Sequence, residues 1–374
     1  MIYLPWLIIS VHGYKLHKIY IVNKYLTHSL REWEPSQKPV TTGGTVLLSS
    51  FAHRNRAEWV SRHAEPEPPL LVKMAENSHH PWVTLKHLDH LWFQVTGTLC
   101  NLACTHCFNS SGPGVRTFDF LSRETIASEL LQAVRLGVRE VFFTGGEPFL
   151  HKQLTEFLVL SLHHAPTTVL TNGTLINDRL AGQLAEIEKA SRYSLEIRMS
   201  LDGYTAEMND RLRGPGVFNK VMEATALLAG CGLLPLMTIV RTWPESEEPS
   251  AVAGFTNALK YAGYSRPRIK ILPPLPLGRE LTRIENGHHE IALTEEMLRG
   301  FDRDLLMCSN SRIVTNRGVW VCPLLVEEPD ARLGSSIKNS LPDYELRHRA
   351  CHTCYQYGTF CQNISASLEG TVDA

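Results

Sequence analysis

The run VTGTLCNLACTHCFNSSG, residues 95–112, decides how this 374-residue chain is read. It holds Cys100, Cys104 and Cys107 at C-x3-C-x2-C spacing. A closed zinc or iron–sulfur site takes about four protein ligands. Thiolates spaced in this way within one loop fold back around a single soft metal centre. Either a fourth ligand lies elsewhere in the chain, or the metal keeps an open coordination position.

The surroundings of the loop point to an α/β fold. LWFQV (91–95) leads into it, and VFFT (141–144), TVLT (168–171), EIRMS (196–200), LPLMTIV (234–240) and RIKIL (268–272) follow as further strand candidates. Helical stretches lie between them. The clearest is RETIASELLQAVRLG, with Ser122 as N-cap, an apolar stripe of Ile126, Leu130, Leu131 and Val134, and Gly137 as its stop. Strands alternating with helices predict parallel βα units. Six of them predict a partial (β/α)6 TIM-like barrel. Chemistry in such barrels is built on the loops after the strand C-termini. Here those loops carry the cysteine run, TGGEP, TNGT, SLDG, RTWPES and PPLPLGR.

Composition narrows the class. A formal net charge of −1 supplies no basic field for a nucleic acid or an anionic membrane. Nine cysteines, an odd number in tight clusters, argue against a secreted disulfide framework and for thiols kept for metal in a reducing, cytoplasmic setting. The apolar start MIYLPWLIIS is too short to span a bilayer, which needs about 20 residues, and lacks signal-peptide features. Residues 1–88, broken by EPSQKP and AEPEPP, read as an N-terminal extension, 89–285 as the barrel, and 286–374 as a small C-terminal β-hairpin/α unit.

The cysteine loop resembles the signature of the radical S-adenosylmethionine (SAM) enzymes, a C-x3-C-x-aromatic-C loop after the first barrel strand. His106 stands in the aromatic slot, a departure that still leaves a ring able to stack. Thr144-Gly145-Gly146-Glu147-Pro148 falls where that family carries its GGEP turn. The resemblance implies a 4Fe-4S cluster on Cys100, Cys104 and Cys107 whose open iron is chelated by SAM. It also implies that Gly145, Gly146 and Glu147 line the SAM amino group, with His106 against the adenine. Asn172 in TNGT and Ser200 in SLDG are the candidates for contacts to the ribose or carboxylate. RLRGPGVFNKV (211–221) resembles the family segment that follows SLDG.

Five further cysteines lie late. Cys308 and Cys322 flank SRIVTNRGVWV, a predicted β-hairpin turning at Asn316-Arg317-Gly318. Cys351 and Cys354 form a CxxC pair, and Cys361 follows. This resembles the auxiliary-cluster modules of the same family, termed SPASM or, when shortened, twitch. The full pattern has about seven cysteines and two clusters, so the five here imply one auxiliary 4Fe-4S cluster. Cys308, Cys322, Cys351 and Cys354 are the favoured ligands and Cys361 the alternate. A structural zinc site would suit the same thiols. Cys231, in LLAGCGLLP, reads as a buried core thiol.

What the resemblance implies chemically is reductive cleavage of SAM, fed by a flavodoxin or ferredoxin, to a 5′-deoxyadenosyl radical that takes a hydrogen atom from substrate. The substrate is a peptide or protein, or else a small metabolite. A non-catalytic metal-binding scaffold is the alternative of a different class. Glu327, Glu328, Asp330 and Tyr357 are candidate general bases with no more than surface-residue credentials.

Overall fold

Runs of β-branched and aromatic residues become strands at all six expected places: His90–Gln94 (β1), Glu140–Thr144 (β2), Thr167–Thr171 (β3), Leu195–Ser200 (β4), Leu236–Val240 (β5) and Arg268–Leu272 (β6). The computed structural model describes residues 80–284 and 293–357, with strand segments at 10–11, 14–15 and 19–21. The extension expected over residues 1–88 thus lies largely outside the described residues. β5 starts later than its apolar run because Pro235 has no N–H to give to a ladder.

Neighbouring strands from β1 to β6 all pair in parallel. Helices Arg123–Arg135 (α1), Leu154–Leu162 (α2), Asp178–Ala190 (α3), Ala206–Arg213 (α4), Val217–Gly230 (α5) and Glu248–Tyr261 (α6) fill the crossovers, and Gly278–Arg283 (α7) follows β6. Ser122 caps α1 as expected, its Oγ accepting from the Thr125 N–H at 3.1 Å. Ile126 and Leu130 are buried, but Leu131 is 50% exposed. It sits at the edge of a stripe centred on Ile126, Leu130 and Ala133. Cys231 is also exposed rather than buried, because it caps the C-terminus of α5 beyond the last packed turn.

Strand alternation divides the side chains between two cores. Leu91, Phe93, Val141, Phe143, Val169 and Ile197 pack beneath the helices. Trp92 and Phe142 point the other way and join a second core with residues from the C-terminal part. Their rings stack at 4.1 Å and 9°.

The C-terminal hairpin continues the barrel sheet. Ser311–Thr315 (β7) pairs in parallel with β1, Gly318–Trp320 (β8) returns antiparallel, and Arg332–Gly334 (β9) forms the edge. The order is β9-β8-β7-β1-β2-β3-β4-β5-β6, with residues 19–21 antiparallel on the far side of β6. Among the described residues the sheet therefore stays open. Trp320, Ile313, Trp92 and Phe142 form one registered row on the inner face. Helix Arg349–Tyr357 (α8) follows, while the ladder between Trp82–Val83 and Tyr344–Glu345 ties the start of the described chain to this region.

A buried carboxylate clamps the C-terminal segment onto the barrel. Glu129 on α1 accepts the Ile337 N–H at 2.7 Å, and the neighbouring Gln132 side chain accepts that of Lys338 at 3.1 Å. Glu129→Ala leaves a buried amide unpaired, which costs about 1–3 kcal/mol. Thermal denaturation should show a lowered Tm for this variant and no such loss for Glu124→Ala on the first turn of the same helix.

Candidate metal centres

The loop after β1 is folded by its own backbone. Cys100 N–H donates to Gly112 O (3.2 Å) and Gly112 N–H to Thr98 O (3.1 Å), which closes residues 98–112 into a compact turn at the C-terminal rim. Cys100 is buried and Cys104 and Cys107 are half-buried. Burial pushes the Cys100 thiol up to about 11, and Glu147, Cys104 and Cys107 add to the shift. Burial raises Cys104 as well, while the Arg213 guanidinium opposes it. The three sulfurs of the sequence motif are thus brought within electrostatic reach of one another.

Two arginines that the motif does not contain hold this loop. Arg279 donates from Nε to Cys104 O (2.8 Å), from Nη2 to Ser111 O (2.6 Å) and from its backbone N–H to Cys107 O (2.9 Å). Arg213 reaches Asp202 Oδ2 at 2.6 Å, and His106 Nε2 meets the same oxygen at 2.8 Å. Asp202 Oδ1 accepts the Val240 N–H at 2.7 Å. Burial opposes ionisation of Asp202, but Arg213 and His106 outweigh it and hold the carboxyl below its usual range. His106 is therefore anchored by a hydrogen bond to a buried carboxylate in the aromatic slot. Arg213 Nε and His106 Nδ1 are buried without a hydrogen-bond partner among the described residues. Sequence reasoning quoted RLRG and PLGR but assigned no role to either arginine or to Asp202, since only the fold brings 106, 202, 213 and 279 together.

The turn after β2 packs directly on the cysteine loop. A Cβ on Gly146 would lie 2.2 Å from Leu99 O and 2.8 Å from Cys100 Cβ, so only glycine allows this approach. Gly145 has φ +155 and its neighbour is the Thr96 side chain. Gly146 N–H donates to Gly97 O (2.9 Å) and Glu147 N–H to Leu99 O (3.0 Å). The Glu147 carboxylate is fully buried and accepts from Phe149 N–H, Thr171 Oγ1 and Asn172 N–H at 3.1, 2.7 and 2.7 Å. Its side chain thus braces the ends of β2 and β3, and burial pushes its pKa up to about 7. Asn172 donates from Nδ2 to Asn101 Oδ1 at 2.8 Å and lies 3.7 Å from Cys100 Sγ. Ser200 ends β4, half-buried, paired with Thr238 across the ladder.

The second thiol set is deeper. Cys308 precedes β7, Cys322 follows β8, and Cys351 and Cys354 lie three apart on one face of α8. All four are buried, form no disulfide, and line a single pocket with Leu306, Met307, Leu325 and Tyr344. Cys361 lies outside the described residues. Burial raises all of the Cys308, Cys322 and Cys351 thiols, and their mutual proximity raises them further. Four facing buried thiols ionise only when a cationic centre sits among them, so the donor set fits a thiolate-bound iron–sulfur cluster or zinc. The exposed Glu328 and Asp330 are engaged with His348, at 3.7 and 3.1 Å, rather than turned toward either thiol set.

Known proteins resemble the barrel part of this chain. Residues 95–248 match the family model described as Radical SAM superfamily. Mycofactocin maturase MftC of Mycobacterium ulcerans is 36% identical over 134 residues, 36% of this chain and 34% of that protein. A probable GTP 3′,8-cyclase of Methanosarcina mazei is 31% identical over 145 residues, 37% of this chain and 41% of that protein. These matches thus span well under half of each relative. Streptococcus suis SuiB, solved with its precursor peptide SuiA, shares the fold at a TM-score of 0.53 and 15% identity, covering 84% of this chain and 72% of that one. No helix among the described residues is long and apolar enough to cross a membrane. Parallel strands, a three-cysteine loop after the first of them and the family match together make residues 95–248 a radical SAM domain.

Proposed function

We propose that the chain is an enzyme that cleaves SAM reductively at the Cys100, Cys104 and Cys107 centre and oxidises or otherwise modifies a peptide substrate, with a second iron–sulfur cluster on Cys308, Cys322, Cys351 and Cys354. The carrying observation is the pairing of two thiol sets on one sheet, an incomplete one at the C-terminal rim of β1 and a complete one beside β7 and β8. A flavodoxin or ferredoxin is the proposed electron donor. The peptide reading is supported by the maturase among the relatives. A small metabolite remains the second reading, supported by the GTP cyclase.

The bound cluster and SAM supply the chemistry, a 5′-deoxyadenosyl radical that removes a hydrogen atom from substrate. The chain's own residues bind and orient. Gly145 and Gly146 open the space beside Cys100, and Glu147 holds the turn that does so. Arg213 and His106, fixed on Asp202, place a cation and a ring at the loop, each with a buried polar nitrogen left for a ligand. Asn172 and Ser200 stand at the ends of adjacent strands on the same rim.

Four experiments test this reading. Anaerobically reconstituted protein with dithionite should convert SAM to 5′-deoxyadenosine, and Cys104→Ala should abolish the product; intact SAM with the unsubstituted protein overturns the proposal. Equilibrium SAM binding separates an enzyme from a scaffold that only holds metal. Metal analysis should return about eight irons per chain, whereas about four irons with one zinc assigns the second set to structural zinc. Gly146→Ala should push Leu99 and Cys100 out of place, halving the iron content to about four per chain while the circular dichroism stays unchanged.

A further inference from the structure

Tyr344 lines the pocket formed by Cys308, Cys322, Cys351 and Cys354. Its side chain is 5% exposed, and its hydroxyl is shielded from solvent with no hydrogen-bond partner among the described residues. Buried hydroxyls are rarely left unpaired, because desolvating an O–H without an acceptor costs free energy. The side chains around it in the pocket are thiols and apolar groups such as Leu306, Met307 and Leu325. The missing acceptor is therefore to be sought in whatever the four cysteines hold.

The phenol is held from two sides. Its backbone pairs with Val83, its ring lies over His348 at 6.4 Å and 14°, and His348 is clasped by Glu328 and Asp330. Burial, then the nearby Cys351 sulfur, keep the hydroxyl protonated and so available as a donor. We propose that the Tyr344 hydroxyl donates a hydrogen bond to a sulfur of the centre held by these four cysteines and thereby raises its reduction potential. The reduced centre carries one more negative charge than the oxidised one, so a donor aimed at sulfur stabilises the reduced form more. Tyr344 is thus a tuning residue and touches no substrate. The inference rests on the iron–sulfur reading of the second thiol set given above.

The test uses the full chain carrying Cys100→Ala, Cys104→Ala and Cys107→Ala, so that only the second centre is observed, with and without Tyr344→Phe. Iron should be about four per chain in both. In an EPR-monitored redox titration, Tyr344→Phe should lower the reduced-to-oxidised ratio at a fixed potential about tenfold, a displacement of about 59 mV for one electron. Tyr344→His, which keeps a ring and a donor, should restore part of the shift. Equal iron with an unchanged midpoint overturns the proposal and leaves the cluster standing, while zinc in place of iron overturns the reading beneath it. Should Tyr344→Phe not assemble, ENDOR on the chain with Tyr344 intact decides. A cluster-coupled proton that exchanges into D2O within minutes, as a hydroxyl does and a buried amide does not, supports the proposal, and its absence overturns it.

Discussion

Asp202 is the interaction on which the first centre depends. It is 1% exposed, yet it stays ionised because His106 and Arg213 share one of its oxygens and the Val240 N–H binds the other. A single buried carboxylate thereby links the cysteine loop after β1, the end of α4 and the end of β5. Removing one partner from such a buried ionic group typically costs about 3–5 kcal/mol, since the remaining charge stays desolvated. The position of Cys104 and Cys107 is set by this ion pair and by Arg279, which takes three backbone groups of the loop.

Charge also links the two thiol sets. Both collect buried sulfurs whose ionisation is opposed by burial and by one another. They differ in what stands beside them. Arg213 and Arg279 flank the rim loop, which opens to the C-terminal ends of the strands. The second set is closed by apolar side chains and Tyr344, with the Arg312 guanidinium bound to Cys308 O at 2.8 Å. A reactive centre needs access for its ligands, whereas an electron-holding centre is served by enclosure.

The sheet links the two thiol sets from opposite ends of paired strands, since Cys308 precedes β7 while Cys100 follows the parallel β1. Because β7 pairs in parallel with β1, the hairpin bearing Cys308 and Cys322 stands directly beside the strand that leads into Cys100. The row Trp320, Ile313, Trp92 and Phe142 fills the inner face between them, and the edge-on contact of Phe118 with Trp320 joins the cysteine loop to the hairpin. Glu129 fastens the following segment from the helix side.

Much of this was legible in the chain itself, for local reasons. Short β-rich apolar runs placed all six strands, Ser122 placed a helix start, and the spacing of Cys100, Cys104 and Cys107 fits one loop whatever surrounds it. Cys351 and Cys354 were legible as a CxxC pair, and the structure sets them on one helical face. Leu131 and Cys231 were misplaced because burial at the edge of a stripe or the end of a helix depends on what packs there. The Glu147 carboxylate spends its hydrogen bonds on Phe149, Thr171 and Asn172, partners that the turn motif by itself does not reveal. Motif spacing determined which residue types stand in each loop. Only the tertiary structure decided that residues 106, 202, 213 and 279 meet, that β7 extends the barrel at β1, and that Tyr344 lines one pocket with four cysteines, because each of these joins positions far apart in the chain.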